Sequence, residues 1–216
     1  MTSRNFELGL RSKPLEWLEA SIGLFSMPVR DEILFIATDP LDPFSGRNEN
    51  IKKTLRRGVE VSLKTRPTTW IDGFLNYSVM KATFEKDFFI PGINFLDPPR
   101  LVKQGDELPA VPRHRVGIGV NVRPSDGWTL SVFGSYVSGQ YQLRDEPNHA
   151  KQVADYFVLN SRVAYQWRQW SAHVTLNNLT NRKYSTSGIL VGDPFNESFR
   201  VPAPGFNAFA GLSFHY

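Results

Sequence analysis

The sequence predicts an all-β protein, and more specifically an antiparallel up-and-down transmembrane β-barrel. Three observations lead to this prediction. Apolar residues recur at every second position in long segments, short turns alternate with long polar connections, and the tryptophans flank the short turns. No segment shows an apolar stripe with the 3.6-residue spacing of an amphipathic helix.

About nine strands are expected from this two-residue period, because successive side chains of a strand point to opposite faces. In the segment VGIGVNV, for example, Val116, Ile118 and Val120 alternate with small or polar residues. The predicted strands cover residues 4–11, 17–32, 51–64, 70–85, 113–123, 128–142, 153–167, 170–184 and 205–216. Several exceed the usual strand length of about five or six residues in soluble sheets, and they are long enough to cross a bilayer.

The connections between these strands are of two kinds. Short turns are expected at residues 13–16, 66–69, 124–127 and 167–169, three of which contain proline or glycine, and long polar connections at 34–50, 86–111, 144–152 and 185–204. In an up-and-down sheet, alternating short and long connections lie at opposite ends. The pattern therefore predicts a barrel whose two ends differ.

The tryptophans support a membrane location. Each of them lies within one or two residues of a short turn: Trp17, Trp70, Trp128, Trp167 and Trp170. Tryptophan is enriched at the two membrane interfaces of transmembrane barrels, so we expect these residues to form one membrane-interface girdle at one rim. The alternative is that they only flank turns in a soluble β-protein.

The composition excludes several classes. The 216 residues include no cysteine, so there is no disulfide scaffold or thiolate metal site. No run of about 18 apolar residues predicts a membrane-spanning helix, and the first residues lack the pattern of a secretory signal. The 25 Lys and Arg are scattered among 21 Asp and Glu, which argues against a nucleic-acid partner.

The odd number of strands is unusual for a complete barrel. Up-and-down barrels made from one bacterial chain have an even number of strands. We therefore expect either one miscounted strand or a chain that is a piece of a larger barrel.

Six segments carry short motifs, each weak alone, whose order and spacing are more specific. They are NFELGLRSK with Glu7 and Gly9, VRDEILF with Asp31, Glu32 and Ile33, RRGVEVSL after Asn50 with Arg57, Gly58, Val59 and Glu60, GDELPAVPRHRVG with Gly105, Leu108, Pro109, Pro112 and His114, VTLNNLTNRKY with Asn178, Leu179, Asn181 and Tyr184, and AGLSFHY with Gly211, Phe214 and Tyr216. Together they resemble the C-terminal part of the barrel of TonB-dependent outer-membrane receptors.

The resemblance implies that residues 1–216 are about nine C-terminal strands of a 22-stranded barrel, without a plug domain or signal peptide. The implied role is that of a receptor fragment from a family that takes up iron-siderophores or similar ligands. The implied location is the outer membrane of a Gram-negative bacterium, with short turns periplasmic and long loops extracellular. The implied partners are the lipid bilayer, the outer-membrane barrel-insertion machinery, and the TonB energy-coupling system through the missing plug.

Candidate site residues follow from the same resemblance. Ligand contacts are expected in two long connections, at Phe44, Arg47, Phe88, Phe89, Phe95 and Arg100. A cationic, aromatic mouth suits an anionic ferric siderophore, although solvated loop charges explain the pattern equally well. Gly211, Phe214 and Tyr216 resemble the barrel-assembly signal, in which Phe209 occupies a position that is usually polar.

An enzymatic function is not expected. The four histidines, His114, His149, His173 and His215, are far apart in the sequence, and no metal-binding, phosphate-binding or nucleophile motif is present. We therefore predict no catalytic residue, metal or cofactor. Two alternatives stay open: a complete ten-stranded outer-membrane enzyme of the protease or phospholipase type, and a soluble ligand-binding β-barrel.

Overall fold

The computed structural model describes residues 1–39, 42, 45–94, 96–192 and 197–215. Among these residues, no helix is long and apolar enough to cross a membrane. The described chain contains β1 (Thr2–Ser3), β2 (Phe6–Leu15), β3 (Leu18–Ala37), β4 (Gly46–Thr65), β5 (Ile71–Phe84), β6 (Phe88–Ile90), β7 (Arg100–Val102), β8 (His114–Val122), β9 (Trp128–Val137), β10 (Tyr156–Trp167), β11 (Trp170–Asn177), β12 (Ser185–Val191), β13 (Glu197–Pro202) and β14 (Asn207–Phe214).

Ten of these strands form one antiparallel sheet, which we call the main sheet. Its order is β1-β3-β4-β5-β8-β9-β10-β11-β14, and β2 also pairs with β3. Because Ser3 pairs with Val29 and Phe6 pairs with Ser26, β1 and β2 are successive parts of one edge strand. The main sheet is therefore nine strands wide with chain neighbours adjacent, which confirms the predicted up-and-down order.

The main-sheet strands differ in extent from the prediction at several ends. Strands β3 and β4 each have 20 residues and continue beyond the predicted boundaries. Strand β11 ends at Asn177 rather than at residue 184, because Asn178 has a left-handed φ of 50°. The Asn178 side chain then holds the turn: its Oδ1 accepts from the Arg182 backbone N–H at 2.8 Å.

Two of the long connections contain secondary structure that the sequence did not predict. Strands β6 and β7 form a hairpin within residues 86–111, and β12 and β13 form a hairpin within residues 185–204. Strands β6 and β7 have only three residues each, too few to show a two-residue period. The predicted long connections at these two places therefore each contain a short hairpin that lies outside the main sheet.

The register of the main sheet separates two faces. One row across the strands contains Leu10, Ile22, Val61, Tyr77 and Val116, and the adjacent row contains Gly9, Gly23, Glu60, Ser78 and Arg115. We call these the apolar face and the polar face. Residues two apart along a strand share a face, so Ile118 and Val120 also lie on the apolar face and Asn121 lies on the polar face.

The buried core lies at one end of the main sheet rather than at its centre. Strands β3, β4 and β5 and the β6–β7 hairpin contribute Ile36, Ile51, Phe84, Ile90 and Val102. A bidentate ion pair lies on the same strands, with Arg56 Nη2 2.5 Å from Glu32 Oε1 and Arg56 Nη1 3.1 Å from Glu32 Oε2. This end carries the long connections, so the loops are packed and not merely solvated.

Candidate functional site

The polar face carries a hydrogen-bonded network near the short turns. Asn121 Nδ2 donates to Asp72 Oδ2 at 2.7 Å, and Ser131 Oγ donates to Asn121 Oδ1 at 2.7 Å. Arg123 forms an ion pair with Asp72. Adjacent strands therefore satisfy one another's polar groups, as expected for a surface that faces water or another polar surface.

A cavity of about 700 Å³ lies against the same face at mid-height of the strands. Its lining includes Glu60, Ser62, Asn76, Ser78 and Arg115, on three adjacent strands. Glu60 and Ser62 lie on the same polar side of β4, opposite Ser78 and Asn76 of β5. Hydroxyl, amide, carboxylate and guanidinium groups line this cavity, and they can form hydrogen bonds and ion pairs with a polar partner.

At the opposite end from the short turns, three long connections pack on one another. We call residues 86–113, 138–155 and 178–206, where described, the loop assembly. The Leu143 backbone N–H donates to the Gly188 carbonyl at 2.9 Å, and the Leu190 N–H donates to the Leu143 carbonyl at 3.0 Å. Asn148 Nδ2 donates to the Glu107 carbonyl at 2.9 Å. The 138–155 connection therefore contacts both of the others.

Two arginines extend these contacts with charged side chains. Arg100 Nη2, on β7, donates to the Arg144 carbonyl at 3.0 Å and lies 3.9 Å from Glu146 Oε2. Arg144 Nη1 in turn donates to the Leu190 carbonyl at 3.3 Å, on β12. One pair of guanidinium groups thus links all three parts of the loop assembly.

Burial dominates the titration of the carboxylates beside these arginines. Burial raises the pKa of Glu146 above its ordinary value, and the charge of Arg100 only partly opposes this. Burial also raises the pKa of Asp145, opposed by the backbone N–H groups of His149 and Ala150, at 2.9 and 3.0 Å. Both carboxylates therefore cost free energy when they are charged in the folded loops.

The predicted ligand-contact residues have different surroundings. Phe89 is 68% exposed, whereas the ring of Phe88 packs edge-on against Phe84 with 5.1 Å between ring centroids. Arg47 is exposed and its Nε donates to Glu49 Oε1 at 2.7 Å. Arg100 is largely buried in the loop contacts just described, and Phe44 and Phe95 lie outside the described residues. Of these six, Phe89 and Arg47 offer accessible side chains at the loop end.

Sequence reasoning did not single out the 140–148 segment, which holds much of the buried polar surface. Its buried members are Gln140, Gln142, Arg144, Asp145 and Glu146. Gln142 is 2% exposed, and its Nε2 donates to the Lys151 carbonyl at 2.8 Å. The only sequence signal is the dense polar run RDEPNH, and such a run is ordinarily a solvated loop.

All five tryptophans lie at the short-turn end of the main sheet, between 43% and 54% exposed. Neighbouring turns are joined by hydrogen bonds: the Arg66 N–H donates to the Trp17 carbonyl and the Arg123 N–H to the Trp70 carbonyl, both at 2.7 Å. Trp167 and Trp170 pair with each other across the β10–β11 turn. The five residues therefore follow one rim, and their function as a membrane-interface girdle stays a prediction.

The terminal strand holds two of the three predicted assembly-signal residues. Phe214 packs against Trp170 with ring centroids 4.9 Å apart. Gly211 lies under the ring of His173, where an added Cβ would be too close to the imidazole. Tyr216 lies outside the described residues. Packing against neighbouring rings therefore explains why phenylalanine and glycine suit positions 214 and 211. Recognition of these residues by an insertion machinery stays a prediction.

The described residues contain no group of three or more His, Asp or Glu side chains that could hold a metal ion. Among the histidines, His114 is engaged structurally: its Nδ1 lies 2.9 Å from Tyr77 Oη and the two rings are stacked. His173 and His215 are on the polar side of β11 and just after β14, respectively.

Comparison with known proteins gives one family match. A family model described as TonB dependent receptor-like, beta-barrel, matches residues 1–179. That segment covers the main sheet from β1 through β11 and most of the loop assembly.

Solved structures show the same fold over nearly the whole chain. The ferric yersiniabactin uptake receptor FyuA from Yersinia pestis matches with a TM-score of 0.74 and 20% identity, covering 98% of this chain and 29% of that one. The siderophore receptor PiuA from Acinetobacter baumannii matches with 0.77 and 18%, covering 99% and 28%. The copper transporter OprC matches with 0.72 and 17%, covering 98% and 31%. The chain thus spans less than a third of the length of these structures.

Proposed function

Since the chain belongs to the TonB dependent receptor-like β-barrel family, we propose that its main sheet forms part of the wall of a transmembrane receptor barrel. The observation that carries this proposal is the separation of an apolar face from a polar face across nine adjacent strands. Ile118 and Val132 are 47% and 48% exposed on the apolar face. A surface of this kind is unfavourable in water and favourable against lipid.

In this proposal, residues 1–216 correspond to the C-terminal portion of the barrel domain, about nine of 22 strands. The family is a receptor family of the outer membrane rather than an enzyme family. The tryptophan rim lies at the periplasmic interface and the loop assembly is extracellular. The long packed connections suit the outer side, because transmembrane barrels have short periplasmic turns and longer extracellular loops.

The proposed role is energy-coupled uptake of a ferric siderophore or a similar metal complex. FyuA and PiuA are siderophore receptors by name, and OprC is a copper transporter. An exposed phenylalanine and an exposed arginine at the loop end, Phe89 and Arg47, suit an anionic complex with aromatic groups. The TonB system would act through a plug domain rather than through these strands, and the insertion machinery would recognise β14.

Depth-dependent fluorescence quenching tests the membrane placement. The chain is refolded into phosphatidylcholine vesicles that carry bromine either near the headgroup or near the end of the acyl chains. Because the tryptophans follow one rim, we expect strong quenching by the shallow bromine and weak quenching by the deep one. Quenching by neither lipid, together with recovery of the chain in the aqueous fraction, would contradict the proposal.

A binding experiment tests the proposed ligand class. Ferric enterobactin is titrated against the refolded chain and against Phe89→Ala. Phe209→Ala is the matched control, because Phe209 is 63% exposed but lies on β14 rather than in the loop assembly. We expect the Phe89 variant to bind about tenfold more weakly, as loss of one aromatic contact of 1–2 kcal/mol implies, and the control to bind normally. Equal affinities of all three proteins for ferric enterobactin would contradict a role of Phe89 in ligand binding.

A further inference from the structure

Basic side chains gather on the apolar face near the loop end, where an apolar surface alone is expected. Arg30 on β3 pairs in register with Lys53 on β4, and Arg57 on β4 pairs with Lys81 on β5. Lys81 is two residues beyond Val79 on the same face of β5. We call these four residues the basic cluster. They lie where the apolar face ends toward the long connections.

The basic cluster is unfavourable without an anion. Like charges directly opposite on adjacent strands destabilise a sheet, and the cluster contains two such pairs. In the part of the chain that the structure describes, none of its four side chains forms an ion pair with a carboxylate. Two nearby acids do not neutralise the cluster through a salt bridge. Asp31 is the next residue after Arg30 but forms no ion pair with it, and the Glu85 carboxylate accepts a hydrogen bond from Thr83 Oγ1 at 2.8 Å. An external anion would therefore offset the repulsion.

A cavity of about 450 Å³ lies beside the basic cluster. Its lining combines cationic and apolar side chains with one acid and one hydroxyl: Thr2, Arg4, Phe6, Pro28, Arg30, Asp31 and Lys53. From Phe6, the same face continues along β2 through Leu8 and Leu10, which are 72% and 67% exposed. A polar pocket thus opens directly onto an apolar surface.

We propose that the basic cluster and this cavity bind the phosphate-bearing headgroup of a membrane lipid, with the acyl chains lying along Phe6 and Leu8. Guanidinium groups match phosphate oxygens in geometry and charge, and cations close to a membrane attract anionic headgroups. The apolar surface below the cavity is what distinguishes a lipid from a free anion as the occupant. The inference rests on the proposed membrane location but concerns a different site from the ligand end.

The test compares two double variants of the full chain. Arg30→Gln/Lys53→Gln removes two charges from the site. Arg11→Gln/Lys64→Gln is the matched control, because it removes the same charge from the polar face, on β2 and β4, the two strands that pair with β3. Each protein is refolded in neutral maltoside micelles, and bound lipid is counted by native mass spectrometry after addition of diphosphorylated lipid A, phosphatidylcholine or inorganic phosphate.

We expect the unaltered chain and the control to retain lipid A in preference to phosphatidylcholine, and the site variant to bind lipid A about 30-fold more weakly. Equal retention by the site variant and the control would overturn the proposal. Inorganic phosphate that displaces lipid A at similar concentration would also overturn it, by showing a simple anion site.

Insertion is measured separately, as resistance to urea extraction from phosphatidylcholine vesicles. Chains that insert but show no preference for lipid A would refute only the lipid site. Failure of the unaltered chain to insert would instead refute the proposed membrane location.

Discussion

The substitution Phe84→Ala tests how strongly the loop end is held to the main sheet. Phe84 is 1% exposed and lies in the core formed by β3, β4, β5 and the β6–β7 hairpin. Removing a fully buried phenylalanine ring costs about 3–5 kcal/mol, including the cavity that remains. The lost edge-on contact with Phe88 accounts for about 1 kcal/mol of this total cost. We therefore expect the free energy of unfolding to fall by about 4 kcal/mol.

Urea unfolding in neutral detergent micelles, followed by far-ultraviolet circular dichroism, measures this change. Phe209→Ala is the control, and we expect it to cost less than about 1 kcal/mol because Phe209 is mostly exposed. Limited proteolysis should also show faster cleavage within residues 86–104 of the Phe84 variant. A loss below about 1 kcal/mol with unchanged cleavage would refute the conclusion that the long connections form a packed unit.

Two further substitutions test local features. Gly58→Ala should destabilise the chain by about 1–3 kcal/mol in the same urea assay, because the added Cβ would clash with a backbone carbonyl and the ring of Phe25; unchanged stability would contradict this close approach. Glu146→Gln should protect the loop assembly from proteolysis at pH 8 but change little at pH 4. The folded carboxyl has a raised pKa, so its charging weakens the fold as pH rises above the ordinary value of 4.5. Equal protection at both pH values would contradict that titration.

The strands and their faces could be predicted from the sequence because the two-residue period is a local property. Val116, Ile118 and Val120 alternate with smaller or polar residues, and this fixes which side of β8 is apolar before any partner strand is known. The turn positions followed from proline and glycine at the short connections.

The loop assembly could not be predicted because its contacts are non-local. Arg100 is 44 residues from the carbonyl of Arg144 that it binds, and Gln140 is 46 residues from its partner Thr186. Nothing in the composition of these segments separates a buried polar residue from a solvated one. For this reason Arg100 was expected at an accessible ligand mouth, whereas the structure places it in contacts between connections.

The basic cluster was missed for a related reason. Arg30, Lys53, Arg57 and Lys81 are scattered along the sequence among acids, and this suggested no concentrated charge. The antiparallel register brings them onto one face of three adjacent strands. Net charge therefore says little about local charge once strands pair across long connections.

The absence of native cysteine allows the most direct test of the central claim, that the apolar face contacts lipid and the polar face contacts water. Single cysteines are introduced by Val120→Cys and Asn121→Cys, adjacent positions on β8, and the chain is refolded into lipid vesicles. The rate of reaction with a water-soluble maleimide is then measured, with urea-unfolded chains as the reference. We predict that Cys at position 121 reacts readily and that Cys at position 120 is protected. Equal rates, or protection at 121 alone, would contradict the assignment of the two faces.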